Sequence, residues 1–305
     1  MNEAWKRQAI DLSPGMKIRG KWHGRTYMIK QRLGAGAIGT VYLCDSEGES
    51  VAMKVSRKGT SLAMEVNVLK SLNKVQGNPL GPYLMDVDDW HPPGGDTYTF
   101  YVMEYLQGKS LSEFVARNGS SWIGVLMLQL LDDLHRLHQS GWVYGDLKPE
   151  NLLVLDKPRR VRWVDVGGTT KVGRAIKEYT EFYDRGYWGL GSRKAEPGYD
   201  LFALAMVFLN IYYPKKFEKG SDSAKTLLRK INNIPDLQPY RQPLRKAVLG
   251  QYISSATMMK DVASIVKGQQ PNRRRPARKE HSSPLAENSL IGLIAVIYYF
   301  FSLLL

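Results

Sequence analysis

The sequence predicts an α+β fold in two lobes: a small N-terminal lobe of five strands and one helix over about residues 21–104, and a larger helical lobe over about 107–268. Two observations predict it. Short β-branched and aromatic runs, separated by turns rich in Gly and Pro, crowd the first third of the chain. Apolar residues at helical spacing dominate the part that follows. A chain of 305 residues is long enough to give both lobes a core, and 43% hydrophobic and 24% charged residues are ordinary for a globular protein.

The elements of the small lobe come in order. Met1 to Gly15 holds no apolar core of signal-peptide length. Thr26 to Leu33 alternates as a strand, and Gly34-Ala35-Gly36-Ala37-Ile38-Gly39 follows it. That glycine pattern alone is weak, because it also opens dinucleotide-binding helices. Here Thr40 to Cys44 follows, β-branched and aromatic, so the glycines join two strands. Val51-Ala52-Met53-Lys54-Val55 is the third strand, with a lysine flanked by apolar residues. Ser61 to Leu72 carries Leu62, Val66 and Leu69 at helical spacing, with Glu65 on the same segment. Tyr83 to Trp90 and Thr97 to Met103 are two more strands, joined by a Pro-Pro-Gly-Gly turn.

The large lobe opens with Ser120 to His138, a helix whose stripe of Ile123, Met127, Leu130, Leu134 and Leu137 is core. It leads to Tyr144-Gly145-Asp146-Leu147-Lys148-Pro149-Glu150-Asn151, which packs an acid, a base and an amide into one loop ahead of an apolar strand. Asp146 could accept a proton from a hydroxyl, Lys148 could neutralise a transferring phosphoryl group, and Asn151 could hold a metal ion. Val161 to Val164 is a strand, followed by Asp165-Val166-Gly167. Asp200 to Leu209 is apolar enough for a buried helix, and Ala224 to Ile231, Leu237 to Leu249 and Ala256 to Val266 also have helical patterns.

These motifs, in this order and over roughly Lys21 to Gly268, resemble the eukaryotic-type (Hanks-type) serine/threonine protein kinases of bacteria. The resemblance implies transfer of the ATP γ-phosphoryl group to protein hydroxyls, with ATP and Mg²⁺, or Mn²⁺ in its place, as cofactors. It implies Asp146 as catalytic base and Lys148 as stabiliser of the transferred group. Lys54 would hold phosphates, paired with Glu65, although the gap of 11 residues between them is shorter than the family shows. Gly34, Gly36, Gly39 and Val41 would cover the nucleotide, Glu104 and Leu106 would form the hinge with Met103 behind it, and Asn151 and Asp165 would bind the metal. Asp200 would brace the catalytic loop through backbone amides.

Two departures stand out. Gly145 replaces the arginine that pairs with an activation-segment phosphate, so Thr169, Thr170, Thr180 and Ser192 are phosphorylation candidates without that partner; Arg185 is the rival one. The Ala-Pro-Glu motif is absent from its place, and Ala195-Glu196-Pro197 lies too close to Asp200 to replace it. Two other readings compete: a small-molecule kinase of the aminoglycoside or sugar type, and a pseudokinase scaffold. Lys148 speaks against the first, and the retained Lys54, Asp146, Asn151 and Asp165 against the second.

The single cysteine, Cys44, excludes an internal disulfide and is expected half-buried on its strand. The five histidines form no ligand cluster in the sequence, and His135 and His138 have no carboxylate pattern around them. The formal charge is +14, of which +11 lies before the last 38 residues, so an acidic partner is expected. Residues 269–288 form a polar linker with the run Arg273-Arg274-Arg275-Pro276-Ala277-Arg278-Lys279. Ser289 to Leu305 carries no charge; as a helix it spans about 26 Å, and it is expected to be a transmembrane tail anchor. The arginines before it place the kinase lobes on the cytoplasmic face of the cell membrane. The run, with Lys215, Lys216, Arg229, Lys230, Arg241, Arg245 and Lys246, is expected to contact anionic lipid or to bind, without sequence preference, a polyanion such as DNA that regulates the kinase. A homodimer is left open.

Overall fold

The computed structural model describes residues 10–269 apart from positions 37, 58 and 78. Ala37, the linker beyond Gln269 and the expected anchor 289–305 lie outside the described residues. Among those described, no helix is long and apolar enough to cross a membrane.

The small lobe is one antiparallel sheet of six strands: β1 (Lys17–Arg19), β2 (Thr26–Ala35), β3 (Thr40–Ser46), β4 (Glu49–Ser56), β5 (Leu84–Trp90) and β6 (Tyr98–Glu104), in the order β1-β2-β3-β4-β6-β5. The sequence predicts five. The extra strand is three residues long with one apolar side chain, Ile18, which is too short for alternation to show. Its turn into β2 is tied to β5 by carboxylates. Asp88 accepts the amides of Trp22 at 2.9 Å and His23 at 2.8 Å, and His23 Nδ1 lies 2.7 Å from Asp86. His23, Asp86 and Asp88 thus converge although the sequence showed no such cluster. Each carboxylate oxygen already has a protein donor, which makes the group a loop tether. Cys44 is fully buried, not half-buried, because β3 lies inside the sheet, and burial raises its thiol to about 12.

Register aligns the cleft residues. Val41 on β3 pairs with Lys54 on β4, and Lys54 with Tyr101 on β6. Helix α1 (Gly59–Leu72) packs behind the sheet and buries Leu62, Glu65, Val66 and Leu69 on one side. Helical spacing therefore carries the Glu65 carboxylate into the core side, towards β4.

The large lobe holds α2 (Leu111–Asn118), α3 (Ile123–Gln139), β7 (Trp142–Val143), β8 (Leu152–Asp156), β9 (Arg159–Trp163), β10 (Thr170–Lys171), α4 (Pro197–Tyr212), α5 (Ser223–Asn232), α6 (Arg241–Val248) and α7 (Ser255–Gln269). Helix α2 was not anticipated, although Ser110 and Glu113 spell a capping box: the Ser110 hydroxyl accepts the Glu113 amide at 3.2 Å. The run expected as one helix to Leu249 divides into a 3-10 stretch, Pro235–Tyr240, and α6, because Pro239 has no N–H to donate. Helix α4 is buried from Tyr199 to Asn210, as its apolar surface on all sides requires. It starts with Pro197 in the first turn, so Ala195-Glu196-Pro197 is a helix start.

Candidate active site

A cleft of about 920 Å³ lies between the lobes, lined by Gly34, Gly36, Gly39, Val41, Lys54, Glu104, Leu106, Lys148, Asn151 and Asp165 among others. Gly34 lies near the end of β2, and Gly36 and Gly39 sit on the turn to β3, where the Gly36 amide donates to Gly39 O at 2.9 Å. At Gly39 a Cβ would come within 2.4 Å of Val55 O, so only glycine lets this turn lie on β4.

Lys54 reaches both oxygens of Glu65, at 2.9 and 2.8 Å, and Tyr101 donates to the second at 3.0 Å. The short spacing between Lys54 and Glu65 is accommodated because α1 follows β4 almost at once. Burial acts to lower the lysine pKa, but the carboxylates of Asp165, at 3.7 Å, and Glu65 outweigh it and hold Lys54 above its ordinary value. Burial keeps Glu65 raised in spite of Lys54. Neither the role of Tyr101 nor its partner was readable, since only cross-strand register brings it there.

The loop after β7 carries the other polar groups. Asp200, fully buried at the start of α4, accepts the Tyr144 amide at 2.8 Å and the Gly145 amide at 2.9 Å, bracing the loop from below. His138 also donates to Asp200 at 2.8 Å and meets Ser255 at 2.6 Å, so this histidine has the carboxylate partner that its sequence surroundings lacked. Gly145 has φ +82°, and a Cβ there would stand 2.6 Å from Gly168 O. The space that an arginine would need is therefore filled by Gly168 and Ile176.

Asp146 binds Lys148, and Asn151 Nδ2 donates to Asp146 O at 3.0 Å. Burial raises the Asp146 carboxyl, with Lys148 and the Thr180 hydroxyl opposing it in part. Asp165 accepts the Gly167 amide at 2.9 Å. Desolvation acts upward on it, and Lys54 and that amide pull it below the usual carboxylate range. Asn151 commits its nitrogen to Asp146, leaving its oxygen for a cation beside Asp165. Two hard oxygen donors lining one cleft fit Mg²⁺ or Mn²⁺.

The segment after Asp165 differs from the sequence expectation. Thr180, expected as a phosphorylation candidate, places its hydroxyl 3.3 Å from Asp146 and 3.3 Å from Lys148. Arg185 is buried and paired with Glu196, with its Nε donating to Ser192 O at 2.8 Å, so it is not set to receive a phosphate. Fully buried Asp184 accepts the amides of Gly186 at 3.0 Å and Tyr187 at 2.9 Å, the Tyr199 hydroxyl at 3.0 Å and Arg193 at 2.8 Å. Glu196 and Asp184 thus cross-tie the segment from within, over the stretch where the Ala-Pro-Glu motif is missing.

The family model described as "Protein kinase domain" matches residues 27–282. The chain belongs to the protein kinase family. This kinase is 48% identical over 285 residues to the serine/threonine-protein kinase YabT of Bacillus subtilis (strain 168), covering 93% of this chain and 84% of the relative. It is 23% identical to drp72, described as serine/threonine-protein kinases, of Corynebacterium efficiens, over 89% of this chain and 58% of that one. Among solved structures, vaccinia related kinase 3 superposes with a TM-score of 0.62 at 17% identity, covering 87% of this chain and 94% of its own. That likeness concerns the two-lobe fold alone.

Proposed function

We propose that this kinase transfers the γ-phosphoryl group of ATP to serine and threonine hydroxyls of proteins. The observation that carries the reading is the convergence of Lys54, Lys148, Asn151 and Asp165 on one cleft under a glycine turn, with Asp146 held against that cleft by its bonds to Lys148 and Asn151. Bound ATP with Mg²⁺ supplies the phosphoryl group and neutralises its developing charge. Lys54, fixed by Glu65 and Tyr101, holds phosphate oxygens, while Gly34, Gly36 and Gly39 bring backbone amides over them and Val41 covers the base. The hinge backbone at Glu104 and Leu106 faces the adenine edge. Asn151 and Asp165 hold the metal. Asp146 orients the acceptor hydroxyl and takes its proton, and Lys148 balances charge on the transferred group. The names of the bacterial relatives support serine and threonine as acceptors. The test is incubation of the full-length protein with labelled ATP and casein, followed by phosphoamino-acid analysis. Phosphoserine and phosphothreonine are expected. Label on tyrosine alone overturns the acceptor class, and no label above an Asp146→Asn control restores the pseudokinase reading.

The same proposal takes residues 1–268 as the kinase domain, 269–288 as linker and 289–305 as a membrane anchor that leaves the kinase in the cytoplasm. The uncharged 17-residue run after five basic residues supports it. The basic run would meet phosphate groups of lipid or nucleic acid. Of the lobe residues grouped with it, Lys246 is neutralised by Asp261 at 2.9 Å. Full-length protein is expected in the membrane fraction, and a chain ending at Glu287 in the soluble one; full-length protein in the soluble fraction removes the anchor. Binding to anionic vesicles and to random duplex DNA at two salt concentrations separates the two phosphate sources.

A further inference from the structure

The acceptor side of the cleft carries a feature that phosphoryl transfer itself does not use. Residues 180–188 and the connection 213–222 between α4 and α5 meet through aromatic rings. Phe182 lies 5.1 Å from Phe217 and 5.9 Å from Trp188, and Tyr213 lies 5.2 Å from Phe217, centroid to centroid. Three lysines stand on this ring surface. Lys216 Nζ is 5.3 Å from the Tyr183 ring and 5.9 Å from that of Phe182. Lys219 is 4.7 Å from the Tyr187 ring and donates to Tyr187 O at 3.1 Å. Lys230 is 4.3 Å from the Tyr213 ring and 4.8 Å from that of Phe217.

Among the described residues, no carboxylate lies within ion-pair distance of these lysines, whereas Arg185, Arg193, Lys225 and Lys246 around them all have one. Glu181 and Glu218 lie exposed on the same two segments and leave the lysines unpaired. Lys216 also has φ +59°, a left-handed conformation that lysine rarely adopts. Such strain persists only where the surroundings impose it, and it collects at functional sites. Rings hold the ammonium groups in place without cancelling their charge.

The position is specific. Thr180 contacts Asp146, and the buried Tyr183, whose hydroxyl feels the Asp146 charge, carries Lys216 Nζ 5.3 Å from its ring. A polypeptide whose hydroxyl reaches Asp146 advances about 3.3 Å per residue, so residues a few positions from the target hydroxyl are long enough in reach to meet these lysines. We propose that Lys216, Lys219 and Lys230 form an acceptor subsite that selects protein segments with carboxylate side chains flanking the target serine or threonine. This rests on the reading of Asp146 as the acceptor-side base.

The test uses the full-length protein and a set of serine peptides that differ only in bearing Asp, Ala or Arg at the positions flanking the serine. The expected result is a kcat/KM about tenfold higher for the Asp set than for the Ala set and lowest for the Arg set, narrowing at high salt. The double variant Lys216→Glu/Lys219→Glu should reverse the order, and Lys219→Gln, a milder change, should shrink the ratio. Equal turnover of the three sets, a preference for Arg, or an Asp preference that survives charge reversal overturns the subsite. Failure of the transfer reading looks different: no peptide or protein is labelled above the Asp146→Asn background. If the peptides show no order while random duplex DNA binds the wild type and not the reversed variant, the lysines form a nucleic-acid face and the proposal is wrong.

Discussion

Arg162 and Glu104 join the two lobes at the hinge: Nη2 of Arg162, on β9, lies 2.9 Å from Oε2 of Glu104, at the end of β6. The same guanidinium nitrogen donates to Gly81 O at 2.8 Å, and Glu104 Oε2 also accepts the Tyr83 amide at 3.3 Å. One large-lobe arginine thereby ties the hinge to the connection leading into β5. It stands three residues before Asp165, on the strand that delivers it. Substituting Arg162 by Met should raise the KM for ATP about fivefold, the value of one charge-assisted bond of ~1 kcal/mol at a partly exposed site, with kcat changing less. Arg162→Lys should recover part of the loss. Steady-state kinetics checks this; an unchanged KM for ATP would show the clasp does not position the hinge.

Asp146→Asn should lower phosphoryl transfer by roughly 10²–10⁴-fold while the fold is kept, because the isosteric amide fits the same space but cannot take a proton. Lys54→Met should also remove activity, but with a lower melting temperature, since it leaves the buried Glu65 carboxylate without its cation. Calorimetry alongside the labelled-ATP assay separates the two variants.

The cross-tied segment should not need phosphate to order it. Alanine together at Thr169, Thr170 and Ser192 is expected to leave most of the activity. Thr180→Ala should reduce it, since that hydroxyl joins Asp146 and Lys148. Glu196→Gln should reduce activity too, by releasing Arg185. A triple variant that is folded and inactive would show that phosphorylation is required.

The acid limb of kcat/KM should lie above the pH of an ordinary aspartate. Burial raises the Asp146 carboxyl; in the proposed mechanism its ionised form is the base, and protonation removes it as pH falls. Lys148 opposes the rise, so Lys148→Met should move the limb to still higher pH besides lowering the rate. A limb that stays in place in the variant would assign the titration to another group.

The catalytic loop, the glycine turn, Lys54 and Asp165 were legible because each is a local pattern: residue type and spacing within one strand-turn unit specify them. The α3 stripe was legible through apolar periodicity over several turns, and helix α4 through an unbroken apolar run. Strand β1 and helix α2 were not, one being too short to alternate and the other resting on a single cap. The pairing of Lys54 with Glu65 was expected in spite of its spacing, and the close succession of β4 and α1 accounts for it.

Tertiary structure alone decided the rest, because it depends on residues far apart in the chain that meet only when the lobes pack. Tyr101 reaches Glu65 through strand register, and His138 meets Asp200 across 62 residues. Arg162 finds Glu104 across 58. Thr180 turned from a surface hydroxyl into a neighbour of Asp146 only once its segment folded back over the loop. By itself the sequence determined which chemistry the chain carries, since that is written in residue types at short spacing. Packing decided which charges are spent within the protein, as in Arg185 with Glu196, and which stay open to a partner, as in Lys216, because charge neutralisation depends on distance in space.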